Sequence, residues 1–310
     1  MKRRVLVTGA NGFVGGYLCP HLAQNGYEVS CGVSGPPMQS FASRDFNLSD
    51  AASVDALVQW AAKPDVIVHL AAIAYIPEAA KSPAGVMDIN LLGTIRVLEA
   101  VRKHTPGTRV LFVGSGDAYG RPERLPMTED QPLRPVNPYA ISKAAADHYC
   151  AYAAAAGLNV VRARPFNHGG AGQSDGVVLS SFAKQIAEME AGTRPPVLHV
   201  GTLETIRDFS HVSDVVRAYR LLIERGKTGE AYNVCSGTSH RIQNLLDALL
   251  GMTKVRVEVR LDRERLRPVD IPEVRASHEK LTAETGWQPE IPAQTLLADL
   301  LHHWRSVGKA

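Results

Sequence analysis

A tyrosine and a lysine stand four residues apart, at Tyr139 and Lys143, in an alanine-rich stretch that predicts a helix over 138–156. Side chains with this spacing lie on one face of a helix. In a carbonyl reduction a proton must reach the oxygen while a hydride reaches the carbon. A phenol can supply that proton once a neighbouring ammonium lowers its pKa from about 10. The pair therefore predicts Tyr139 as a catalytic acid and Lys143 as the group that lowers its pKa.

Two more candidate groups, Ser115 and Asp117, follow a predicted strand over 109–115. Because catalytic groups gather beyond the carboxyl ends of parallel strands, the Ser115 hydroxyl can hydrogen-bond a substrate oxygen there. A serine that only closes a turn is the alternative. The Asp117 carboxyl could act as a further acid, but the pKa and reach of this side chain depend on surroundings that the sequence does not give.

Three glycines lie three residues apart where a predicted strand over 5–8 turns into a helix. Their backbone amides can approach a diphosphate directly, and the helix N-terminus adds its positive end. A glycine triplet alone is a weak motif, but its position after the first strand of an α/β chain favours a dinucleotide site. The residues that we expect at this site are Gly9, Asn11, Gly12, Phe13, Val14 and Gly15.

The elements that must position these groups alternate through the first half of the chain. Short β-branched runs precede longer helical patterns, and the runs are too apolar to have a face in water. They predict an α/β fold, a Rossmann-like doubly wound parallel sheet with helices on both faces. The predicted strands lie at 5–8, 27–33, 65–72, 109–115 and 159–164, and the helices between them include 84–104 and 138–156.

A long glycine-rich loop over 165–176 marks where the chain leaves the sheet. We expect residues 1–164, together with about 207–238, to form a dinucleotide-binding Rossmann domain. The stretches 165–206 and 239–310 then form a smaller C-terminal α/β lobe that binds the substrate. Further helices are predicted over 177–191, 212–225, 240–250 and 293–307, and a further strand over 231–235.

The G-x-x-G-x-x-G spacing, the S-x-x-x-Y-G stretch from Ser115 and the Y-x-x-x-K pair resemble the extended branch of the short-chain dehydrogenase/reductase superfamily. The resemblance implies an NAD(P)-dependent enzyme whose catalytic group is Ser115, Tyr139 and Lys143. It also implies that Asn90 is a buried structural support. The further cofactor contacts that it implies are Ser34, Asn47, Leu48, Leu70, Ala71, Ala72, Tyr139 and Lys143, with a plain surface loop as the alternative for Asn47.

The choice between NADP(H) and NAD(H) depends on the end of the second strand. An acid there would hydrogen-bond the ribose 2′-hydroxyl and repel a 2′-phosphate. Val33 and Ser34 stand at this place, so NADP(H) is permitted and is favoured over NAD(H). No adjacent arginine demands NADP(H).

Three later segments resemble GDP-4-keto-6-deoxymannose reductases: RARPFNH over 162–168, VGTLETIRDF over 200–209 and RLRPVDIP over 265–272. The resemblance runs essentially from end to end and implies a GDP-sugar substrate, whose diphosphate suits guanidinium forks. Thr202 stands where that family usually has asparagine, which leaves the guanine contact open. The implied substrate contacts are Asn167, Lys184, Arg207 and Arg267. As alternatives, Arg207 pairs with Asp208, and Lys184 is an ordinary polar helix residue.

The implied reaction is reduction of the C4 keto group of GDP-4-keto-6-deoxy-D-mannose to a GDP-6-deoxyhexose, GDP-D-rhamnose. GDP-6-deoxy-D-talose is the product of attack on the other face. A GDP-mannose-type 4,6-dehydratase, with Asp117 as its acid, is a second enzyme hypothesis. A non-catalytic dinucleotide sensor is a third, because a fold does not fix a function, although such proteins commonly lose the tyrosine or the lysine.

The composition indicates which binding partners and which cellular compartment to expect. The 310 residues carry 34 basic and 31 acidic side chains in scattered positions, so neither a nucleic acid nor a membrane surface is an expected partner. The four cysteines form no C-x-x-C pair and predict buried reduced thiols in the cytoplasm, and we expect no metal site. The helices over 84–104 and 138–156 resemble those that form a dimer interface in the extended branch, and the alanines of the second helix permit close approach of another helix. The resemblance implies a homodimer or a higher homo-oligomer, with packing inside one subunit as the alternative.

Overall fold

A computed structural model describes residues 2–266 and 271–308 of the chain. The strands in this part of the chain are β1 (Arg4–Thr8), β2 (Glu28–Val33), β3 (Ala42–Asp45), β4 (Val66–His69), β5 (Arg109–Val113), β6 (Val160–Pro165), β7 (Asn167–Gly169), β8 (Val197–Val200), β9 (Ile206–His211), β10 (Ala231–Val234), β11 (Ser239–Arg241), β12 (Glu258–Leu261) and β13 (Glu273–Val274). The α-helices are α1 (Phe13–Gln24), α2 (Ala51–Trp60), α3 (Ile76–Lys81), α4 (Pro83–Met87), α5 (Gly93–His104), α6 (Pro138–Ala155), α7 (Val178–Glu190), α8 (Val212–Arg225), α9 (Ile242–Leu250), α10 (Glu279–Thr285) and α11 (Ala293–Val307).

Seven strands form the central sheet in the order β3, β2, β1, β4, β5, β6, β10, and every neighbouring pair is parallel. All four residues of β4 and of β10 are buried, as expected for strands that are covered on both faces. The strand order reverses between β1 and β4, which opens a crevice at their carboxyl ends. The predicted Rossmann-like doubly wound α/β fold is confirmed.

Helices cover both faces of this sheet and make two separate cores. On one face, α1 and α8 bury Leu18 and Tyr219 against the strands. On the other face, α2, α5 and α6 bury Leu57, Leu98 and Cys150. Because water reaches neither face, the strands appear in the sequence as continuous apolar runs rather than as alternating patterns.

The helix predicted over 84–104 is present but is not uniform. It consists of α4, a π-helical turn over Asp88–Leu92 and α5. A π-helical turn widens the helix locally and is often found at functional sites. Here it carries Asn90, which is buried.

A four-stranded sheet, called the smaller sheet below, a two-stranded sheet and three helices make up most of the second half of the described residues. Strand β9 pairs with β7, β11 and β13, while β8 pairs with β12. The helices α7, α9 and α11 bury Phe182, Leu246 and Leu300 in a core of their own. After β9 the chain returns to the large sheet through α8 and β10. The division into two domains at the predicted boundaries stays a prediction.

The sequence patterns did not predict strands β3, β7, β8, β9, β11, β12 and β13. Strand β3 reads Ala-Ser-Arg-Asp, lies at the edge of the sheet and has no buried residue, so it has neither an apolar run nor an alternating pattern. Strand β7 has three residues and lies within the predicted loop over 165–176. It is a strand only because β9, far along the chain, pairs with it.

Candidate active site

The turn after β1 requires two glycines. Gly9 has a φ of +69°, and a Cβ on it would lie 2.8 Å from the backbone of Ala71. A Cβ on Gly15 would lie 2.2 Å from the carbonyl oxygen of Ala10. A side chain at either position would push α1 away from the sheet. The predicted glycine turn therefore depends on close backbone contact.

The first turn of α1 fits a diphosphate. Gly12 is its N-cap residue, and no side chain caps the helix. The amides of the first turn, from Phe13 through Val14 onward, and the positive end of the helix can therefore bind an anion. The Asn11 side chain does not belong to this group of amides. Its Nδ2 donates to the carbonyl oxygen of Ser34 at 2.9 Å. Asn11 thus ties the glycine turn to the loop after β2.

The loop after β2 meets an acid that the sequence analysis missed. Ser34 is exposed, and the amide of Gly35 beside it donates to Oδ1 of Asp45 at 3.1 Å. Asp45 ends β3 and stands in register with Val33 on β2. No acid follows β2 along the chain, as expected, but one reaches this loop from the neighbouring strand. Because β3 carries no sequence pattern, nothing in the sequence pointed to this contact.

Asn47 and Leu48, the residues expected beside the adenine, follow β3. The Asn47 side chain is exposed, and its Oδ1 accepts a hydrogen bond from the Ser49 amide at 3.0 Å, so it shapes its own loop. Leu48 is buried and packs where α5 begins, since a Cβ on Gly93 would lie 2.4 Å from its Cγ. Contact of either residue with an adenine stays a prediction.

The segment after β4 lies directly under the glycine turn. Leu70, Ala71 and Ala72 are half-buried, and Ala71 is the residue whose backbone Gly9 approaches. The Ala71 amide also donates to Oγ1 of Thr8 at 3.4 Å. The three residues therefore line the crevice between β1 and β4, where the resemblance puts the cofactor ribose.

His69, at the end of β4, is a buried link between β1 and α5. Its Nδ1 lies 2.8 Å from Thr8 Oγ1, and its Nε2 lies 3.2 Å from Thr94 Oγ1. Thr94 donates its own proton to the Asn90 carbonyl, so Nε2 of His69 must donate to Thr94 and Nδ1 must accept from Thr8. Burial, with a smaller contribution from the Lys143 charge, lowers the pKa of His69 to about 3.

The start of α6 holds Tyr139 in place. Asn137 is the N-cap residue, and its side chain accepts a hydrogen bond from the Ala140 amide at 2.9 Å. Pro138 occupies the first helical position, which suits its fixed φ. An asparagine cap of this kind stabilises a helix start by about 1 kcal/mol. Tyr139 is buried at this ordered start and hydrogen-bonds the Ser115 side chain.

Lys143 lies one turn further along α6 and is also buried. Its Nζ donates to the carbonyl oxygen of Val113 at 2.8 Å, at the end of β5, and lies 5.4 Å from the centre of the Phe112 ring. Burial lowers the pKa of Lys143 to about 8. The structure thus brings Ser115, Tyr139 and Lys143 together at the carboxyl end of β5.

The pKa of Tyr139 differs from the expectation. Burial raises it above the ordinary value, the Asp117 carboxylate raises it further, and the hydrogen bond with Ser115 opposes them. The prediction that Lys143 lowers this pKa is wrong for this arrangement. The physical reason is that the Lys143 ammonium faces the Val113 carbonyl, while the charge that acts on Tyr139 is negative.

Ser115 and Asp117 belong to one short turn. Ser115 precedes the 3-10 helix over Gly116–Tyr119, and its Oγ accepts a hydrogen bond from the Asp117 amide at 3.1 Å. A Cβ on Gly116 would lie 2.8 Å from the ring of Phe166, so this helix packs closely on the end of β6. Ser115 therefore closes a turn and also bonds the candidate acid, Tyr139.

Asn90 connects the two sides of the crevice. Its amide group exchanges two hydrogen bonds with the backbone of Ile73, at 2.8 and 3.0 Å, and donates to Ser142 Oγ at 2.9 Å. Ser142 in turn donates to the carbonyl oxygen of Tyr139 at 2.7 Å. The expected role of Asn90 as a buried support is confirmed, and the support extends to the turn of α6 that holds Tyr139.

The candidate substrate residues lie on the smaller sheet. Asn167 is half-buried on β7 and stands in register with Phe209 on β9. Nη1 of Arg207, also on β9, donates to the Ile206 carbonyl at 2.9 Å. The neighbouring Asp208 is buried, and its carboxylate accepts three hydrogen bonds, from the amides of Ser236 and Gly237 and the hydroxyl of Ser236. These bonds satisfy Asp208 without the predicted alternative partner, Arg207.

Lys184 and Arg267 are the two remaining candidate substrate residues. Lys184 on α7 donates to Asp175 at 2.5 Å, and its Nζ lies 5.2 Å from the centre of the Trp304 ring. Its place is therefore the one expected for an ordinary polar helix residue in an ion pair. Arg267 lies outside the described residues.

The segment after β6 packs against α1, just after the glycine turn. The rings of Phe13 and His168 stack with centroids 6.4 Å apart and an interplanar angle of 12°. The Tyr17 hydroxyl donates to the carbonyl oxygen of Ala171 at 2.8 Å. The backbone of β7 at His168 is therefore held beside α1.

Residues 2–266 and 271–308 contain neither a cluster of metal-ligating side chains nor a membrane-spanning helix. This part of the chain contains no group of three or more histidine, cysteine or acidic side chains that could hold a metal ion. Its helices include none with both the length and the apolar character needed to cross a bilayer. The four cysteines are buried free thiols, and the Sγ atoms of Cys19 and Cys31 lie 3.7 Å apart.

Comparison with known proteins adds to this geometry. The chain is 38% identical over 309 residues to GDP-6-deoxy-D-mannose reductase of Pseudomonas aeruginosa, covering 99% of this chain and 98% of that relative. The structure of RMD from Pseudomonas aeruginosa complexed with NADPH superposes with a TM-score of 0.88 at 37% identity, covering 98% of this chain and 99% of the other. The NAD complex of Thermus thermophilus UDP-glucose 4-epimerase superposes with a TM-score of 0.86 at 29% identity, covering 97% and 99%.

The family model described as GDP-mannose 4,6 dehydratase matches residues 6–300, which is nearly the whole chain. The expected extended short-chain dehydrogenase/reductase architecture and NAD(P)-dependent sugar-nucleotide oxidoreductase class are confirmed. The glycine turn, the group at the end of β5 and the full-length matches agree. This chain belongs to the GDP-mannose 4,6 dehydratase family.

Proposed function

We propose that this chain reduces the C4 keto group of GDP-4-keto-6-deoxy-D-mannose with NAD(P)H and forms a GDP-6-deoxyhexose, GDP-D-rhamnose. The observation that carries the proposal is the juxtaposition of Ser115, Tyr139 and Lys143 at the end of β5, beside the glycine turn. The full-length similarity to a GDP-6-deoxy-D-mannose reductase supports this choice of sugar nucleotide.

In the proposed reaction Tyr139 donates its phenolic proton to the C4 oxygen of the substrate. The Ser115 hydroxyl, which already hydrogen-bonds Tyr139, orients the same oxygen. The raised pKa keeps Tyr139 protonated before the transfer. Lys143, one turn further along α6, is the proposed contact of the nicotinamide ribose. NAD(P)H bound at the glycine turn supplies the hydride that reaches C4. The carbonyl thus gains one hydride and one proton and becomes an alcohol.

We further propose that NADPH is preferred to NADH. No acid follows Val33 along the chain, and the carboxylate of Asp45 already accepts the Gly35 amide. Arg44, an exposed cation on β3, stands in register with Gly32 near the end of β2, which suits a 2′-phosphate. The NADPH complex of the similar reductase structure supports this choice. A higher kcat/KM with NADPH than with NADH is expected.

The proposed contacts of the substrate diphosphate are Asn167 and Arg207, with Arg267 and Lys184 as further candidates. Asn167 lies beside His168, which stacks on Phe13 at the start of α1. A guanidinium fork on the smaller sheet suits a diphosphate. Lys184 would have to leave its ion pair with Asp175 to take part.

The direct test follows NADPH absorbance while purified protein is mixed with GDP-4-keto-6-deoxy-D-mannose. The proposal expects NADPH to be oxidised in proportion to the keto sugar supplied. If NADPH binds but its absorbance stays constant with this substrate, the reductase proposal fails and a dinucleotide sensor becomes the better account. A control with GDP-mannose in place of the keto sugar should leave NADPH unchanged.

A second candidate function is that of a GDP-mannose 4,6-dehydratase. The observation that favours it is Asp117, whose carboxylate is close enough to Tyr139 to raise its pKa. A dehydratase would convert GDP-mannose to the 4-keto-6-deoxy sugar, with loss of water and no net change in the cofactor. Incubation of GDP-mannose with the oxidised cofactor tests this function, and an unchanged sugar would exclude it.

We propose a homodimer or a higher homo-oligomer assembled through α5 and α6. Ile141 and Tyr152 are 43% and 60% exposed, respectively, although they are large and apolar. Their separation of three helical turns places them on one stripe of α6. Leu92, just before α5, is 44% exposed. Such apolar side chains on neighbouring helices suit an isologous contact with a second copy.

We propose that the protein works in the cytoplasm. The support is the state of its four cysteines, which are buried and free. Cys19 and Cys31 form no disulfide, although their Sγ atoms are 3.7 Å apart. Reduced thiols of this kind are typical of a reducing compartment.

A further inference from the structure

Strand β6 carries two arginines, Arg162 and Arg164, among the apolar residues of a strand that reads VVRARP. Residues two apart on a strand point to the same face, and both guanidinium groups reach Asp147 on α6. Arg164 forms a two-pronged contact, from Nε to Oδ2 and from Nη2 to Oδ1, each at 2.9 Å. Only 1% of the Asp147 side chain and 6% of the Arg164 side chain are exposed.

A buried ion pair of this kind is not explained by stability alone. Removing two charges from water costs as much as their attraction returns, so apolar residues of similar volume are often at least as stable. A guanidinium fork is a directional contact, unlike apolar packing, because it fixes both the distance and the orientation of the carboxylate. The fork therefore constrains how α6 lies on β6.

The same guanidinium also reaches the other catalytic element. Nη1 of Arg164 donates to the Tyr119 hydroxyl at 2.8 Å, and this hydroxyl donates to Oδ1 of Asn233 at 2.7 Å. Tyr119 is the last residue of the 3-10 helix that begins beside Ser115. On α6, Asp147 lies one turn after Lys143 and on the same face. One side chain thus contacts the element of Ser115 and the element of Lys143.

We propose that Asp147, Arg164 and Tyr119 form a brace that sets the placement of Ser115 relative to Tyr139 and Lys143, with Arg164 as its central positioning residue. None of the three is assigned to the reacting atoms. The inference rests on the proposed reductase function for its effect on turnover, while its mechanical part, the coupling of the two elements, stands independently of the substrate.

Two variants break the brace at different points. Tyr119→Phe removes only the hydroxyl, and the ring keeps its stack on Phe166 at 6.1 Å. Asp147→Asn removes the charge and keeps the shape, but leaves buried guanidinium groups without a counter-charge. If Asp147→Asn does not fold, Tyr119→Phe carries the test alone.

Two control variants match these changes away from the site. Tyr232→Phe removes a buried hydroxyl that bonds Glu284 at 2.5 Å. Asp214→Asn removes the charge of a carboxylate that is 2% exposed and paired with Arg217 at 2.7 Å. Neither side chain contacts the 3-10 helix over Gly116–Tyr119 or α6 through a hydrogen bond in the described residues.

Hydrogen–deuterium exchange tests the coupling without any substrate. In Tyr119→Phe, amide exchange should rise about tenfold in α6 around Lys143, as well as in the altered 3-10 helix, because a hydrogen bond to a charged group is lost between them. Asp147→Asn should raise exchange in the 3-10 helix likewise. Changes confined to the altered element, or equal changes in both control variants, would overturn the brace.

Turnover tests the catalytic consequence. The kcat per NADPH-binding site should fall about tenfold in both brace variants, with KM and NADPH affinity within about twofold, because placement and not binding is changed. The control variants should keep kcat within about twofold while lowering thermal stability. A coupled exchange with unchanged kcat would overturn the positioning role. A wild-type protein that oxidises no NADPH would refute the proposed function, and the exchange result would still decide the brace.

Discussion

At the scale of single residues, Tyr139 is held between opposing influences. Burial and the Asp117 carboxylate raise its pKa, and Ser115 lowers it through a hydrogen bond. Lys143 stays one turn away with its ammonium on the Val113 carbonyl and a pKa lowered to about 8. The proton that the reaction needs is therefore retained on Tyr139 near neutral pH. Its release depends on the negative charge that forms on the substrate oxygen.

Removal of the Tyr139 hydroxyl tests this role. Tyr139→Phe should lower kcat by about 100- to 10,000-fold, which is the usual contribution of a general acid, while NADPH affinity stays within about twofold. Steady-state kinetics with a fluorescence titration of NADPH measures both. Tyr219→Phe is the matched control, since Tyr219 is fully buried and its hydroxyl has no hydrogen-bond partner within the described residues. Wild-type turnover in Tyr139→Phe would exclude Tyr139 as the proton donor.

Asp117 gives a prediction about pH. Its carboxylate raises the pKa of Tyr139, so Asp117→Asn removes that effect and lowers this pKa. Because the reaction needs protonated Tyr139, the alkaline limb of the kcat/KM profile should move to lower pH in Asp117→Asn. A pH profile of NADPH oxidation measures the shift. A limb that stays in place would mean that the two groups do not interact in the working enzyme.

At the scale of elements, the strand ends and helix starts determine the site. The glycine turn, the capped start of α6 and the buried link at His69 each hold one part of the crevice at the carboxyl ends of β1, β4 and β5. These contacts are short-range and specific. Single changes in them should therefore alter cofactor binding or folding without touching the reacting groups.

The glycine turn can be tested with one added methyl group. Gly9→Ala should weaken NADPH binding by about tenfold or more, because the position has a φ of +69° and a Cβ would lie 2.8 Å from the Ala71 backbone. Gly16→Ala is the control in the same segment. A Cβ at Gly16 meets nothing within 4 Å, so this change should leave NADPH affinity unaltered. Equal NADPH affinity in both variants would contradict the proposed turn.

His69 predicts how stability depends on pH. Its pKa in the folded chain is lowered to about 3, from an ordinary value of about 6.5. Between these values the unfolded chain binds one more proton than the folded chain, so stability falls as the pH falls through this window, by up to about 1.4 kcal/mol per pH unit. Urea unfolding at about pH 7 and about pH 5 should show a smaller loss for His69→Gln than for the wild type. An equal loss of stability in His69→Gln and the wild type would mean that other groups take up the proton.

Strong local patterns predicted six of the seven strands of the central sheet and most of the described α-helices, but none of the described strands outside that sheet. Helices α8 and α11 have the predicted ends, and the predicted glycine turn and the Tyr139–Lys143 pair lie where the patterns put them. Strand β3 was not predicted, because an exposed edge strand has no apolar period. The pKa of Tyr139 could not be read from a spacing of four residues, since it depends on the direction of the Lys143 ammonium and on a carboxylate from another element.

Contacts between distant segments were the other gap. The brace joins residues 119, 147 and 164, and the Asp45 contact joins the end of β3 to the loop after β2, so no local pattern predicts either contact. The sequence did show two arginines in the predicted strand over 159–164, and charged residues in a buried strand are a sign of ion pairing.

At the scale of the whole molecule, exposed apolar residues on α6 predict assembly. Ile141→Arg puts a charge in the proposed contact and should convert the proposed homodimer or higher homo-oligomer to a monomer, as measured by sedimentation. Leu261→Arg is the control, because Leu261 is 62% exposed but lies on β12, which pairs with β8 and not with α6. Dissociation by both variants, or by neither, would argue against α6 as the interface.

The central claim is hydride transfer to C4 of a GDP-sugar. The most direct measurement incubates the protein with GDP-4-keto-6-deoxy-D-mannose and NADPH that carries deuterium at the transferable position, and analyses the sugar by NMR. The proposed function predicts one deuterium at C4 and the configuration of GDP-D-rhamnose. An unchanged keto sugar, or a product without deuterium at C4, would contradict it.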